Sequence, residues 1–408
     1  MAVPTTKVYI YFNTAYVDVT QYVASVSVDR GKSRELDRYT AGHAAVTFHN
    51  DSRIFDPFNT LSAYYPNVVP RKLLKIETSN LPIFTGYIDD WDLNYDISGK
   101  SFASASVVDG FLRLSAAELD SFTTTSQLSS ARITAILDRP EVNWPVADRS
   151  IETGITTLQA DVVPENENAL TYLQLVETSE NGKLFINVAG QLTFKSRATI
   201  PPLNASLVFA DDATVNGIGY NNIEVVYGSE NLYNRVTITR AGGTPQVADS
   251  STSQTKYGVS AFSIDGVLLT SNTEALELAS YLVGLYDEPE LRVNEVTVLL
   301  HDKTPTEVTD ILDLDIADVV QVKFTPNQTG SVISQFGIVI GVRHSVGIDT
   351  HSVTFSLGTT ANSPFVLDNA IYGRLSDSVE TYDLATVSYD LATVEYDGTG
   401  LFGYVLGY

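Results

Sequence analysis

Short stretches in which apolar and polar residues alternate recur along this sequence, and each soon meets a Gly or Asn. Val8, Ile10 and Phe12 alternate with Lys7, Tyr9 and Tyr11, and Ala24, Val26 and Val28 with Val23, Ser25 and Ser27. After Gly42 the pattern is Ala44, Val46 and Phe48 against Ala45, Thr47 and His49. Trp91, Leu93, Tyr95 and Ile97 then alternate with Asp92, Asn94 and Asp96, and Ala103, Ala105 and Val107 follow Gly99. A side-chain period of two puts one set on a buried face and the other on a solvated one, which describes a half-buried strand. Many such strands at short intervals predict a small barrel or sandwich over residues 1–118. The same density returns at 310–360, in Val320, Val322 and Phe324, in Phe336, Ile338, Ile340 and Val342, and in Val353, Phe355 and Leu357. A second small barrel is expected there, within residues 301–375.

Between the two the period lengthens. Ile133, Ile136 and Leu137 sit at helical spacing and the pattern ends at Pro140. Ala169, Tyr172, Leu173 and Val176 form one stripe of a helix over about 168–180, with Asn181-Gly182 as a left-handed C-terminal cap. Leu184, Ile186 and Val188, a turn at Ala189-Gly190, then Leu192 and Phe194 predict a hairpin that covers this helix, within an α+β segment 119–210. Residues 211–300 read as β-rich with a helix over 273–287, where Ser271 and Glu274 are spaced as a capping box and Pro289 marks the stop. The polar insertion 242–256 is expected to be a mobile loop. The tail, 376–408, carries the near-repeats YDLATVS, YDLATVE and YDGTGLF, too few for a solenoid, and is expected to be an extended arm that adds to a neighbour.

Several function classes are excluded by composition. The 408 residues contain no cysteine, which removes disulfides, thiolate nucleophiles and the usual zinc cages. A net charge of −24 argues against a nucleic-acid-binding surface, which needs clustered Lys and Arg. No apolar run approaches the roughly 20 residues of a membrane helix. The N-terminus MAVPTTKVYIYF lacks the basic start and continuous apolar core of a secretory signal, so synthesis in a cytoplasm is expected.

Motifs with chemical content are weak. Asp92-x-Asn94-x-Asp96 opens like a calcium loop, but Ile97 stands where Gly is needed and Ala103 where the closing Glu belongs. Asp310, Asp313, Asp315 and Asp318 are expected to decorate an exposed turn. His344 and His351 flank a turn at Gly347 and are expected to be cross-strand neighbours on a surface or partner contact, with no third ligand for zinc. HExxH, GxSxG and phosphate-loop patterns are all absent. Neither a cofactor nor a metal is predicted.

One stretch stands apart. Seven of the ten residues from Asp29 to Arg38 are charged, and four of them are basic, in a chain with 25 Lys plus Arg. Beyond the strand at 44–49, Phe55-Asp56-Pro57-Phe58 sets two aromatics around a proline that fixes its own φ, a rigid anchor expected to hold Phe55 and Phe58 under the first barrel. Arg30, Lys32, Arg34 and Arg38, with Phe55, Asp56 and Pro57, are therefore the candidate residues of a subunit interface. An Arg-rich loop reaching a neighbour's carboxylates would offset like-charge repulsion and fix register.

The order of these residues resembles a known family. R-G-K-S-R-E-L-D-R at 30–38, A-G at 41–42, F-D-P at 55–57 and Tyr64-Tyr65 before Pro70-Arg71 are similar to the start of minor tail proteins of actinobacteriophage-type long-tailed phages, in the tail-tip hub group. An independent match is G-x-L-F-x-x-x-x-G-x-L-T-F-x-x-R after a helix, present here from Gly182 to Arg197. The resemblance spans about 22–375. It implies a mainly β, multi-domain tail hub with two small tail-tube-like barrels and a central α+β region. It also implies a structural, non-enzymatic role in host attachment and genome delivery at the virion's tail tip. The implied partners are two further copies in a homotrimer, a distal tail protein, a tape measure protein and downstream fibre or receptor-binding proteins. Two alternatives are a distal tail protein in a hexameric ring and a glycan-binding or cell-wall-degrading tail protein.

Overall fold

The computed structural model describes residues 3–197, 205–212 and 217–359. The YDLATV repeats and the rest of the 376–408 tail lie outside the described residues. The first seven strands are β1 (Thr6–Phe12), β2 (Ala15–Asp18), β3 (Val23–Gly31), β4 (Thr40–His49), β5 (Leu73–Thr78), β6 (Leu81–Tyr95) and β7 (Ser101–Val108). They pair in the order β3-β4-β7-β6-β5-β1-β2. The alternation decides which way each strand faces. Val8, Ile10, Val46, Phe48, Ala103, Ala105 and Val107 are buried, and on β3 the inward positions are Val26, Val28 and Arg30.

The central region holds α1 (Phe111–Ser115), α2 (Ser129–Leu137), α3 (Ala169–Glu180) and the hairpin β8 (Lys183–Ile186) with β9 (Leu192–Lys195). Asn168 caps α3 by accepting from the Thr171 N–H, and Asn181 ends it at φ 57. The predicted stripe of α3 packs with Leu184, Leu192 and Phe194 of the hairpin into a second core.

After β10 (Leu207–Ala210) and β11 (Asn222–Tyr227) comes a smaller layer of β12 (Arg235–Arg240), β13 (Gln246–Asp249), α4 (Ser251–Tyr257), β14 (Ala261–Val267) and α5 (Asn272–Tyr286). The Ser271–Glu274 capping box of α5 is present, and its apolar face forms a third core with β12. The 242–256 insertion is not a plain loop but holds a strand and a helix. β13 pairs with β12, and the fully buried Asn234 ties α4 down through Ser253 Oγ (3.1 Å) and Gly258 O (2.7 Å). Hydrogen bonds to a buried amide organise this segment, and apolar periodicity does not report them.

The last unit contains β15 (Leu291–Leu299), α6 (Pro305–Leu312), β16 (Val319–Phe324), β17 (Ile333–Val346) and β18 (His351–Thr359). Pairing runs β10-β16-β17-β18-β15-β11. α6 was not expected, although Thr304-Pro305-x-Glu307 is a full capping box with Pro in the first turn. The chain is thus mainly β with two small barrel units and a central α+β region. The two units share one hydrogen-bonded path, because β17 pairs antiparallel with β3 from Gly341↔Gly31 to Val346↔Val26. The approach is close: a Cβ on Gly31, which has φ 94, would lie 2.3 Å from the Ile340 carbonyl oxygen. A single apolar core runs through both units.

Candidate functional site

The inward position of Arg30 follows from its place after Val26 and Val28 in the alternation of β3. Burying a guanidinium demands partners, and the structure supplies them from distant segments. Arg30 Nη2 donates to Asp315 Oδ1 at 2.7 Å and to the Ile186 carbonyl at 3.1 Å, with the side chain 3 % exposed. Asp315 also accepts from the Ile316 N–H, and its own N–H donates to Asp318. One ion pair therefore links the first barrel, the central hairpin and the segment leading into the second barrel. Arg30 is a contact within the chain and not a surface residue. Asp315 is correspondingly half-buried and not part of an exposed turn, whereas Asp310 and Asp313 are exposed.

Beside the pair lies Asp109, whose carboxylate accepts from the Gly42 N–H (2.6 Å) and the Phe111 N–H (2.9 Å). Burial pushes it up to about 7, against the opposing pull of those N–H groups and Arg30. Glu177 of α3 is pushed up to about 7 by burial as well, and its Oε1 accepts from the Leu184 N–H at 3.0 Å.

The charged loop, 32–39, splits in two. Lys32 turns back on its own loop, donating to the Glu35 carbonyl (2.5 Å) and the Asp37 carbonyl (2.9 Å) and lying 4.6 Å from the Tyr39 ring centroid. Burial lowers its pKa. Glu35 gathers Asn231, Tyr286 and Thr359 around its carboxylate. Arg34 and Arg38 remain outside. Arg34 is 3.2 Å from Glu230 with both side chains well exposed, and Arg38 is exposed with no hydrogen bond or ion pair among the described residues.

The anchor is also divided. Phe55 is fully buried among Phe48 (4.5 Å between centroids), Tyr22, Tyr64 and Trp91, and its N–H donates to Asn50. Asp56 is buried and accepts from Arg53 Nε (2.8 Å) and the Phe58 N–H (2.8 Å). Pro57 is half-buried. Phe58, expected beneath the barrel beside Phe55, is 84 % exposed. The turn at Asp56 sends the two aromatics to opposite sides.

With this geometry in hand, comparison with known proteins is informative about architecture. No family model and no curated protein sequence matches the chain, but solved structures do. The 43 kDa tail protein of prophage MuSo2 from Shewanella oneidensis superposes with a TM-score of 0.59 at 14 % identity, covering 87 % of this chain and 97 % of that one. The tail protein from Neisseria meningitidis MC58 gives 0.59 at 13 % identity, covering 86 % and 96 %. A chain of the lidless PdpA-VgrG complex gives 0.50 at 11 % identity, covering 88 % of this chain and 64 % of that one. The chain has a phage-tail-protein fold.

Within this tail-protein fold the remaining candidates take structural places. His344 and His351 are cross-strand neighbours as expected, on β17 and β18, but they are interior: 5 % and 0 % exposed, with His344 Nδ1 3.2 Å from His351 Nε2. Burial holds His344 well below its usual value, reinforced by His351 and Arg30, and burial takes His351 down to about 4. Asp92, Asn94 and Asp96 form no metal-ligating group among the described residues. The partner that the sequence reading missed is Asp315. Its signal was the strand itself, since an arginine on an inward face requires a carboxylate.

Proposed function

We propose that this chain is a structural protein of a phage tail tip, a hub assembled as a homotrimer. It joins the tail tube or distal ring to the fibre or receptor-binding proteins below, beside the tape measure protein. The observation that carries the reading is coverage. The likeness to two tail proteins extends over 86–87 % of this chain and 96–97 % of theirs, so it concerns the whole architecture and not one shared module. The sequence resemblance to minor tail proteins of actinobacteriophage-type phages supports the finer placement at the tip, in the virion, with a role in host attachment. Two barrels in each of three copies present six similar units, which suits a sixfold tube. The division into 1–118, 119–210, 211–300, 301–375 and 376–408 belongs to the same proposal.

The interface residues narrow to Arg34 and Arg38, the two guanidinium groups of the loop that face solvent. Reversing both to Glu should abolish the oligomer in sedimentation while leaving the monomer's own thermal unfolding nearly unchanged, because neither is used in the core. An unchanged oligomer would make the loop a solvated turn. Mass measurement of the wild type separates three copies from six, and six would favour the distal ring. Electron cryo-microscopy of the particle tests placement, and density for this chain away from the tail tip would refute the hub.

A further inference from the structure

One side chain closes the loop 32–39. Lys32 Nζ donates to the Glu35 carbonyl at 2.5 Å and to the Asp37 carbonyl at 2.9 Å, around a turn in which the Asp37 N–H donates to the Arg34 carbonyl at 3.3 Å. Neither partner of Lys32 is a carboxylate. A largely buried ammonium is therefore held by neutral groups alone, an arrangement that a carboxylate within reach would disturb.

Such a group faces it from α3. Glu177, 5 % exposed, uses Oε1 to accept from the Leu184 N–H at 3.0 Å, while Oε2 is buried without a partner. The charged groups facing Glu177 are Lys32 and Arg38 from the loop and Lys183 from β8, and Lys32 acts on it most strongly. Glu177 is in turn the strongest of the charges acting on Lys32, ahead of Glu35, Lys183 and Asp37, and it favours the ammonium form against burial. Tyr39, with its ring 4.6 Å from Lys32 Nζ, has a buried hydroxyl that is also unpartnered and faces Glu177, Glu35 and Asp315. Each of Lys32 and Glu177 is thus the other's foremost charge, yet the two are unpaired.

We propose that Lys32 is a two-position switch, closing the loop on its own carbonyls while Glu177 is a neutral acid and moving to Glu177 Oε2 when Glu177 is a carboxylate. Oε2 lies beyond hydrogen-bond reach of Lys32 in the closed loop, so the ammonium has to leave its carbonyls to meet it. The turn that carries Arg34 and Arg38 is then released. The driving force is the cost of a buried carboxylate oxygen left unpaired, which exceeds that of losing a hydrogen bond between neutral groups. Burial keeps Glu177 protonated up to about pH 7, so the closed form belongs to pH 6 and the released form to pH 8. The switch itself does not depend on the tail reading; only its bearing on subunit contacts does, through Arg34 and Arg38.

The chain has no cysteine, so Ser33→Cys, at an exposed position, places a single nitroxide in the loop of the full-length protein. Electron paramagnetic resonance line shapes are read from pH 6 to pH 8, with a nitroxide at Ser98→Cys, exposed in the turn between β6 and β7, as the reference. At Ser33 a restricted spectrum at pH 6 should give way to a mobile one with a midpoint at about 7, the ratio of the two forms changing by up to about tenfold per pH unit; Ser98 should not change. Glu177→Gln keeps an acceptor for the Leu184 N–H and cannot ionise, so it should stay restricted throughout. Lys32→Met should be mobile at both ends, and Lys183→Gln should keep the transition. Should Glu177→Gln fail to fold, the wild type with Lys32→Met and Lys183→Gln still decides. No transition at Ser33, one that persists in Glu177→Gln or Lys32→Met, or one lost in Lys183→Gln would each overturn the proposal.

Discussion

Acidifying the protein between pH 6 and pH 5 tests the interior polar groups against one another. His351 is held at about 4 against an ordinary 6.5, and His344 is displaced further the same way. In this window the unfolded chain takes up protons at both histidines and the folded chain does not, so each withdraws up to about 1.4 kcal/mol per pH unit, together about 2.7 kcal/mol. Asp109 and Glu177 act in the opposite sense. Their folded values of about 7 lie above the usual 3.8 and 4.5, so the folded chain keeps protons that the unfolded chain has released. Their stabilising contribution is lost as pH rises towards 7, and regained by about 2.7 kcal/mol from pH 6 to pH 5. The two pairs nearly cancel. Wild-type stability should therefore be almost flat across the window, whereas His344→Phe with His351→Phe should gain about 2–3 kcal/mol on acidification. Urea unfolding of both proteins at pH 6 and pH 5 measures this, and the slope is informative even if the double variant starts out weaker. Parallel pH dependences would refute the reasoning, since they would show that the histidines titrate alike in the folded and unfolded chain.

Removing one partner of a buried ion pair strands the other, so Arg30→Met should destabilise by about 3–5 kcal/mol, and Arg30→Met with Asp315→Leu by clearly less than the sum of the two single changes. Additive denaturant midpoints would mean that the pair is not coupled. Phe55→Ala should cost about 3–5 kcal/mol for emptying a buried aromatic site, and Phe58→Ala less than about 0.5 kcal/mol. Similar losses from both would contradict the division of the anchor.

Much of the fold was legible because it is local. The alternation around Val26 and Val46 is a property of the neighbouring few residues, and so are the caps at Asn181 and Ser271. The same local rule already placed Arg30 inside, although its charge drew the reading towards a surface loop. What could not be read is long-range. Asp315 lies 285 residues from Arg30, and nothing in the spacing of four aspartates distinguishes the one that meets a guanidinium. The burial of His344 and His351 likewise depends on β17 and β18 being packed on their inner face, whereas the regular structure in 242–256 comes from one buried asparagine. α6 was missed for a different reason. Its capping box was visible, but the strand-rich residues after it dominated the window.

The junction of β3 with β17 has a consequence for how the chain is made. Gly31 and Gly341 are 310 positions apart, so at roughly 5–20 residues per second the ribosome needs on the order of 15–60 s to deliver the second partner after the first. Throughout that interval one side of β3 has backbone donors and acceptors with no strand to meet, the condition under which nascent chains pair wrongly with one another. Arg30 sits on that strand's inward face, unneutralised until Asp315 emerges. An inward charge of this kind makes premature stacking of β3 on another sheet costly, so the residue that joins the finished barrels also guards the unfinished one.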